Sequence, residues 1–443
     1  MKIVIAGAGE VGTHLAKMLS NEEQDIIIMD TDNRKLAALD SYNLLTYCGS
    51  ATSFSGMKDV RVGSADIFIG VTPFEARNIL ACQIAKSMGA RKTVARIANA
   101  EYLSRRWQAF FAERGVDDLI YPEYLAAREM ITSMKHTWVR NWFELFDGEL
   151  ILVGVKLRGN AKIVGHQLKD IGSISSYMHI SAIKRNNETI IPRGYDRVLD
   201  GDIVYIATTK QHIDQVVDLC GKMSSPAKKV FIMGGGEITA QLVKQIDNPD
   251  RVKIVEPDLE RCHELNNLLP GVRVVNGDAR DIDLLEEESL SDYDVFVALS
   301  DSSETNILGC LIAKEHGLAK TIAQVENLQY VNEAEALNIG TIINKKLLAS
   351  SRIFQIMLDN DVENARCLAL ADAEVAELVV KPKSKVTRAD VRDLSLPDSM
   401  TIAGLVRDGV GQLVGGQTRL QAGDHVVVFC LSGSIHKIEK AFG

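Results

Sequence analysis

Lys2-Ile3-Val4-Ile5-Ala6-Gly7-Ala8-Gly9-Glu10-Val11-Gly12 opens the chain, and its reading decides the fold. A short apolar run leads into glycines at the first, third and sixth places of a turn. Beyond the turn, Val11, Leu15, Met18 and Leu19 recur on one helical face. Asp30 ends the next apolar run, Ile26-Ile27-Ile28-Met29, close to the ~20-residue spacing of a dinucleotide-binding fingerprint. Gly7 permits the tight turn, Gly9 lets backbone approach phosphate oxygens, and Gly12 lets helix and strand pack closely. The helix start supplies free N–H groups and positive potential for phosphates. A carboxylate at Asp30 would accept hydrogen bonds from both ribose hydroxyls and repel a 2′-phosphate, which favours NAD or an adenosine nucleotide over NADP.

The same pattern returns half a chain later. Lys229-Val230-Phe231-Ile232-Met233-Gly234-Gly235-Gly236-Glu237-Ile238-Thr239 repeats the opening, with Thr239 in place of the third glycine. Val252-Lys253-Ile254-Val255-Glu256 repeats the second strand, with a glutamate one carbon longer than Asp30. Tyr47 to Ala51 matches Val275 to Ala279, Ile69 to Asn78 matches Val297 to Asn306, and Val94 to Ile97 matches Ile322 to Val325. Two smaller segments repeat as well: Ile180 to Asn186 with Ile402 to Asp408, and Asp200 to Ile206 with Ala422 to Val428. A period this long indicates tandem duplication of a two-domain unit; solenoid repeats are far shorter.

Working outward, strands are expected near 2–6, 25–30, 44–48, 65–72, 93–98 and 117–121, with helical patterns between them. Continuous apolar strands alternating with helices imply a doubly wound parallel sheet. The small segment calls for strands near 150–157, 180–185, 188–192 and 202–207. The fold class is therefore α/β: two tandem Rossmann-like sheets, each followed by a small α/β domain. The boundaries expected are 1–121 and 227–345 for the Rossmann-type domains, 146–222 and 363–443 for the small ones. Segments 122–145 and 346–362 connect the large domains to the small ones, and each carries an apolar helical face that suits either a core helix or an assembly surface.

Composition narrows the function. The 443 residues carry a net charge of −9, which disfavours general nucleic-acid binding. The apolar run at the start is too short for a signal peptide, and no stretch nears the ~20 apolar residues of a membrane span. Seven cysteines without CxxC spacing read as buried reduced thiols of a cytoplasmic protein, with no metal site expected.

Candidate ligand contacts lie at strand C-termini, where open α/β sheets bind ligands. In the first half they are Gly7, Ala8, Gly9, Glu10, Val11, Gly12, Asp30, Ser50, Ala51, Thr72, Pro73 and Arg96. In the second they are Gly234, Gly235, Gly236, Glu237, Ile238, Glu256, Asp278, Ala279, Ser300, Asp301 and Gln324. Thr72 would hydrogen-bond a cofactor or cap a helix; Arg96 would reach a phosphate, stack on adenine or make a surface ion pair. The uncharged Gln324 cannot repeat an arginine–phosphate contact, so the two sites differ. None of the nine histidines has a recognisable catalytic spacing, and HExxH, GxSxG and Walker A sequences are missing. No catalytic residue is assigned; a regulatory nucleotide is the economical reading, with an NAD-dependent oxidoreductase of unrecognised substrate as the alternative.

With these residues in hand, the chain resembles the TrkA family, the cytoplasmic regulators of bacterial Trk potassium uptake built from RCK domains. The motifs that carry the resemblance are Gly7 to Gly12, Asp30, Val94-Ala95-Arg96-Ile97, and Ser300-Asp301-Ser302-Ser303-Glu304-Thr305-Asn306, with Thr72 to Asn78 as the looser first-half version. The resemblance implies NAD or NADH and ATP or ADP as ligands, and a non-enzymatic role. It also implies attachment at the inner face of the membrane to a TrkH/TrkG-like potassium-translocating subunit, and self-association into a homo-oligomeric ring, an even assembly such as a tetramer. By the same resemblance, segments 122–145 and 346–362 would be crossover helices, and the apolar faces of Leu125, Met130, Ile131 and Met134, and of Leu347, Leu348, Ile353, Phe354 and Met357, would serve assembly; Trp138, Trp142, Phe143 and Phe146 would then pack at the hinge between large and small domains.

Overall fold

Burial of whole apolar runs dictates where the strands lie. The computed structural model describes residues 1–20, 24–174, 176–186, 188–357, 362–368, 373–431 and Phe442. The first six strands are β1 (Lys2–Ala6), β2 (Asp25–Asp30), β3 (Leu45–Cys48), β4 (Ile67–Gly70), β5 (Lys92–Arg96) and β6 (Asp118–Ile120). They pair in parallel in the order β3-β2-β1-β4-β5-β6. Ile3, Val4, Ile5, Ile28, Phe68 and Ile69 are fully buried, as a sheet covered on both faces requires. The strand order reverses at β1, beside β4, which makes the C-terminal ends of these two strands the topological switch point.

An antiparallel sheet follows, from β7 (Asn141–Leu145), β8 (Leu150–Lys156), β9 (His179–Arg185), β10 (Glu188–Ile190) and β11 (Ile203–Thr208), ordered β10-β9-β11-β8-β7. The whole arrangement then repeats. Strands β12 (Val230–Met233), β13 (Val252–Glu256), β14 (Arg273–Asn276), β15 (Val295–Ala298), β16 (Lys320–Gln324) and β17 (Thr341–Ile343) form a second parallel sheet in the order β14-β13-β12-β15-β16-β17. Strands β18 (Val362–Leu368), β19 (Ala373–Val379), β20 (Met400–Arg407), β21 (Val410–Leu413) and β22 (His425–Leu431) form the last, in the order β18-β19-β22-β20-β21. Two doubly wound parallel sheets and two small α/β domains are thus the observed fold class.

Two expectations need correction. The aromatic stretch read as a hinge is the edge strand β7, paired antiparallel with β8. Successive strand residues face opposite ways. Trp142 accordingly joins Trp138 in the core of the first small domain, while Phe143 and Phe146 pack on the other face, in the core the two small domains share. Cys48 is exposed because it lies on the edge strand β3; Cys82, Cys220, Cys262, Cys310 and Cys430 are buried.

The chain divides into two compact units, and the division does not follow the duplication. One unit holds residues 1–126 with Asn344–Met357; the other holds 127–343 with 358–443. The helix Lys345–Met357 follows β17 in the chain, yet it packs on the helix Glu10–Ser20 of the first Rossmann domain and beside β6. In the other unit, Ser133 Oγ donates to Thr341 Oγ1 at 3.0 Å, seating the end of helix Pro122–Lys135 on β17. Each Rossmann domain thereby receives a segment from the other half. The exchange buries Met130 and Met134 in one unit, and Ile353, Phe354 and Met357 in the other. These five residues of the faces expected to serve assembly are thus covered within the chain, while Leu125, Ile131, Leu347 and Leu348 stay half-buried; helical periodicity reveals such a face but not what covers it. Of the segment 346–362, residues 358–361 lie outside the described residues.

The second unit also buries charge. Arg140 Nη1 lies 3.3 Å and Lys184 Nζ 2.6 Å from opposite oxygens of Glu335, whose side chain is 5% exposed. Nearby, Lys320 Nζ donates to Val139 O at 2.8 Å and to Thr341 Oγ1 at 2.9 Å. Burial, with the charge of Arg140 added, pushes the Lys320 amine down to about 7. Between that value and the ordinary 10.5, the unfolded lysine binds a proton that the folded one does not, so stability rises with pH across this window. The urea midpoint of the second unit is expected to be higher at about pH 9.5 than at about pH 7.5, and Lys320→Met to remove a large part of that difference. An unchanged slope in the variant would contradict this assignment.

Candidate functional site

The glycine turn of the first half is built by exclusion. Gly7 has φ +113°, and a Cβ there would stand 2.9 Å from Thr72 N. A Cβ on Gly12 would collide with Gly7 O, so only glycine lets the helix Glu10–Ser20 start this close to β1. Gly9 differs: a Cβ there meets nothing within 4 Å, leaving open space over the helix start. Asp30 closes the turn from β2, Oδ2 accepting from Ala8 N at 2.7 Å and Oδ1 from Asp32 N at 2.9 Å. The carboxylate is thus fixed by backbone donors while retaining lone pairs for further ones.

A buried asparagine brackets the opposite wall. Asn78 Oδ1 accepts from Thr72 N at 2.9 Å and Thr72 Oγ1 at 2.6 Å, while Nδ2 donates to Thr72 O and Arg96 O, each at 2.9 Å. All of the amide's hydrogen-bonding capacity goes into pinning the ends of β4 and β5 together. Thr72 also accepts from Phe74 N at 3.3 Å, so its hydroxyl organises the turn before the helix Glu75–Ser87.

Between these walls lies a cavity of about 140 Å³. Gly7, Asp30, Ser50, Ala51, Thr72 and Pro73 line it; so do Lys35, Gly49, Phe74 and Arg77, which the sequence reading did not single out. Phe74 is 59% exposed, and the Arg77 guanidinium lies 4.7 Å from its ring centre. An aromatic held open to solvent after Thr72-Pro73 was the available signal. Ala8, Gly9, Glu10, Val11 and Gly12 form the turn and the first helical residues beside the cavity. Arg96 turns elsewhere: Nη2 lies 3.3 Å from Glu123 Oε1, the ion-pair reading of this residue.

The second half keeps the plan with different side chains. Gly234 has φ +99°, and a Cβ there would lie 2.7 Å from Leu299 O. Gly236 faces open space, as Gly9 does. Thr239 does not merely fill the place of the third glycine, since its Oγ1 donates to Gly234 O at 2.7 Å and ties the helix Glu237–Val243 to the turn, with Ile238 buried behind it. Glu256 uses its extra carbon to reach Gly235 N at 2.6 Å and Asp258 N at 2.9 Å, and Arg261 Nε donates to Gly235 O at 2.7 Å. Asn306 repeats the bracket, accepting from Ser300 N and Oγ at 2.9 and 2.7 Å and donating to Gln324 O at 2.8 Å. Asp278 is drawn to Arg280, which holds its carboxyl below the ordinary range; Ala279 is buried, Asp301 is exposed, and the Gln324 side chain donates to Glu326 at 3.0 Å.

Comparison with known proteins decides the family. The TrkA-N domain model matches residues 3–122 and 230–345, and the TrkA-C domain model matches 152–221 and 375–443. The chain belongs to the TrkA family. Among TrkA relatives, the Trk system potassium uptake protein TrkA of Haemophilus influenzae is 30% identical, over 100% of this chain and 98% of its own. The TrkA homolog of Archaeoglobus fulgidus is also 30% identical, with both chains fully covered. The GsuK RCK domain shares the TrkA fold at 14% identity, with a TM-score of 0.63 over 100% of this chain and 94% of that one. A GsuK channel bound to NAD gives 0.62, again at 14% identity, over 100% and 78%. Among the described residues, no helix is long and apolar enough to cross a membrane.

Proposed function

We propose that this chain is a nucleotide-binding regulatory subunit that gates a potassium-translocating membrane subunit, and is not itself an enzyme. The observation that carries the reading is the first-half turn: a glycine-lined helix start, the fixed carboxylate of Asp30 and an adjoining cavity at the switch point of a parallel sheet. Pyrophosphate would dock on the free N–H groups above Gly9, and ribose hydroxyls would donate to Asp30. The exposed ring of Phe74 would stack on a base. The cavity is smaller than the ~300–1,000 Å³ of a usual ligand pocket, so a dinucleotide would extend out of it along the turn. NAD(H), ATP and ADP are the ligands the family reading suggests; the GsuK structure with NAD gives this choice a precedent in the same fold. The candidate contacts from Gly7 to Arg96 and from Gly234 to Gln324 are proposals of the same standing. Because Glu256 and Thr239 replace Asp30 and Gly12, the second site would prefer a different ligand from the first.

Gating would work by differential affinity: a nucleotide shifts the regulator's equilibrium only as far as it binds one arrangement better than another. The partner is a TrkH/TrkG-like subunit, met at the inner face of the membrane by a homo-oligomeric ring. Co-purification of the full chain with that subunit tests the partner. A screen for substrate-dependent NADH oxidation tests the regulatory reading: sustained turnover would replace it with an oxidoreductase.

A further inference from the structure

The helix Lys345–Met357 belongs to the second half in sequence and to the first Rossmann domain in space. It carries a lysine to the mouth of the first phosphate turn. Lys346 Nζ lies 3.0 Å from Glu10 Oε1; the lysine side chain is only 12% exposed, whereas Glu10 is 69% exposed. Glu10 is the first residue of its helix and follows Gly9, the glycine with open space above it. A carboxylate suits a helix start while no ligand is there. It becomes a repulsive neighbour once a phosphate takes the same N–H groups, and more so the more charge the phosphate carries.

Lys346 is placed by the fold. Its helix buries Ile353, Phe354, Ile356 and Met357 in this unit, and Lys345 Nζ, one residue earlier, lies 3.7 Å from Glu123 Oε1. The charge of Lys346 also reaches His14, one turn into the helix Glu10–Ser20. After burial, it is the next cause that lowers the imidazole below its ordinary range, ahead of Lys17. The groups at this corner are therefore Glu10, His14, Lys17 and Lys346, and the lysine from the second half is the one that pairs with the acid at the turn.

We infer that Lys346 is a specificity-determining residue of the first nucleotide site: by masking the Glu10 carboxylate, it lets that site accept ligands with several phosphate charges. The inference rests on the proposed nucleotide reading of the site. It has a consequence by linkage. If docking of helix Lys345–Met357 raises affinity at the first site, nucleotide there favours the docked helix by the same factor. A ligand in the first half would then be felt by a segment of the second.

The test is a double-mutant cycle on the full chain, with Gly236→Asp in every protein so that the first site reports alone. Affinities for ADP and NAD are measured by titration calorimetry for the parent, Lys346→Gln, Glu10→Gln and the double variant. Lys346→Gln should weaken ADP at least about 10-fold and NAD less, because ADP presents more phosphate charge beside Glu10. Glu10→Gln should bind ADP at least as tightly as the parent, and the double variant should return to within about threefold of it. ADP affinity unchanged in Lys346→Gln would overturn the inference. So would a double variant as weak as Lys346→Gln, because a lysine acting by direct contact or only through the fold is not rescued at Glu10. A parent that binds neither nucleotide would remove the nucleotide reading, and this inference with it.

Discussion

Gly9→Asp should weaken NAD and ATP binding at the first site at least about 100-fold and leave the first unit as stable as before. The fold tolerates the change because a Cβ at Gly9 meets nothing within 4 Å, and its φ is not in the left-handed region. The ligand would not tolerate it. The new carboxylate would stand in the space proposed for phosphate, adding repulsion and blocking charge-assisted hydrogen bonds worth about 1.5–3 kcal/mol each. Gly12 is the instructive contrast. Any side chain there collides with Gly7 O, so loss of binding in Gly12→Val would say nothing about the ligand. Calorimetric titration with a thermal melt of each protein separates the two cases. A Gly9→Asp chain that binds like the parent would show that the first turn is not the phosphate site.

The second large effect concerns stability. Glu335→Ala should cost about 3–5 kcal/mol, because it leaves Arg140 and Lys184 buried without their carboxylate. Asn338, which accepts from Arg140 Nη2 at 2.7 Å, keeps one hydrogen bond but cannot supply the charge. Glu335→Gln should fall between the two, since an amide oxygen still accepts from a cation. Urea denaturation followed through Trp138 and Trp142, both in the same unit as Glu335, reads the loss directly. A change below about 1 kcal/mol would mean that water already solvates the pair, in the manner of a surface ion pair.

The doubled fold was legible because its strands are buried on both faces, and such strands read as unbroken apolar runs whatever packs on them. Asn141-Trp142-Phe143-Glu144-Leu145 was not, since an edge strand whose two faces meet different cores shows no unbroken apolar run, and its aromatics read equally as a hinge. The exchanged helices were half legible. Met130 and Met134 lie on an apolar face in any reading, but a periodicity carries no address, and a partner within the chain satisfies it as well as a second chain does. At the site, the glycines and Asp30 follow from backbone chemistry and can be read from spacing. The orientation of Arg96 cannot, because Glu123 and a ligand phosphate would both draw a guanidinium. Lys346 lies furthest from any local pattern, more than three hundred residues from the turn it faces.

Potassium flux through the membrane subunit, reconstituted in vesicles with the purified chain, tests the central claim most directly. With the parent chain, adding NADH, ATP or ADP should change the flux in a saturable way; with Gly9→Asp, the response carried by the first site should vanish while the chain still binds the subunit. Flux that is indifferent to every nucleotide, or that responds equally with Gly9→Asp, would contradict the account.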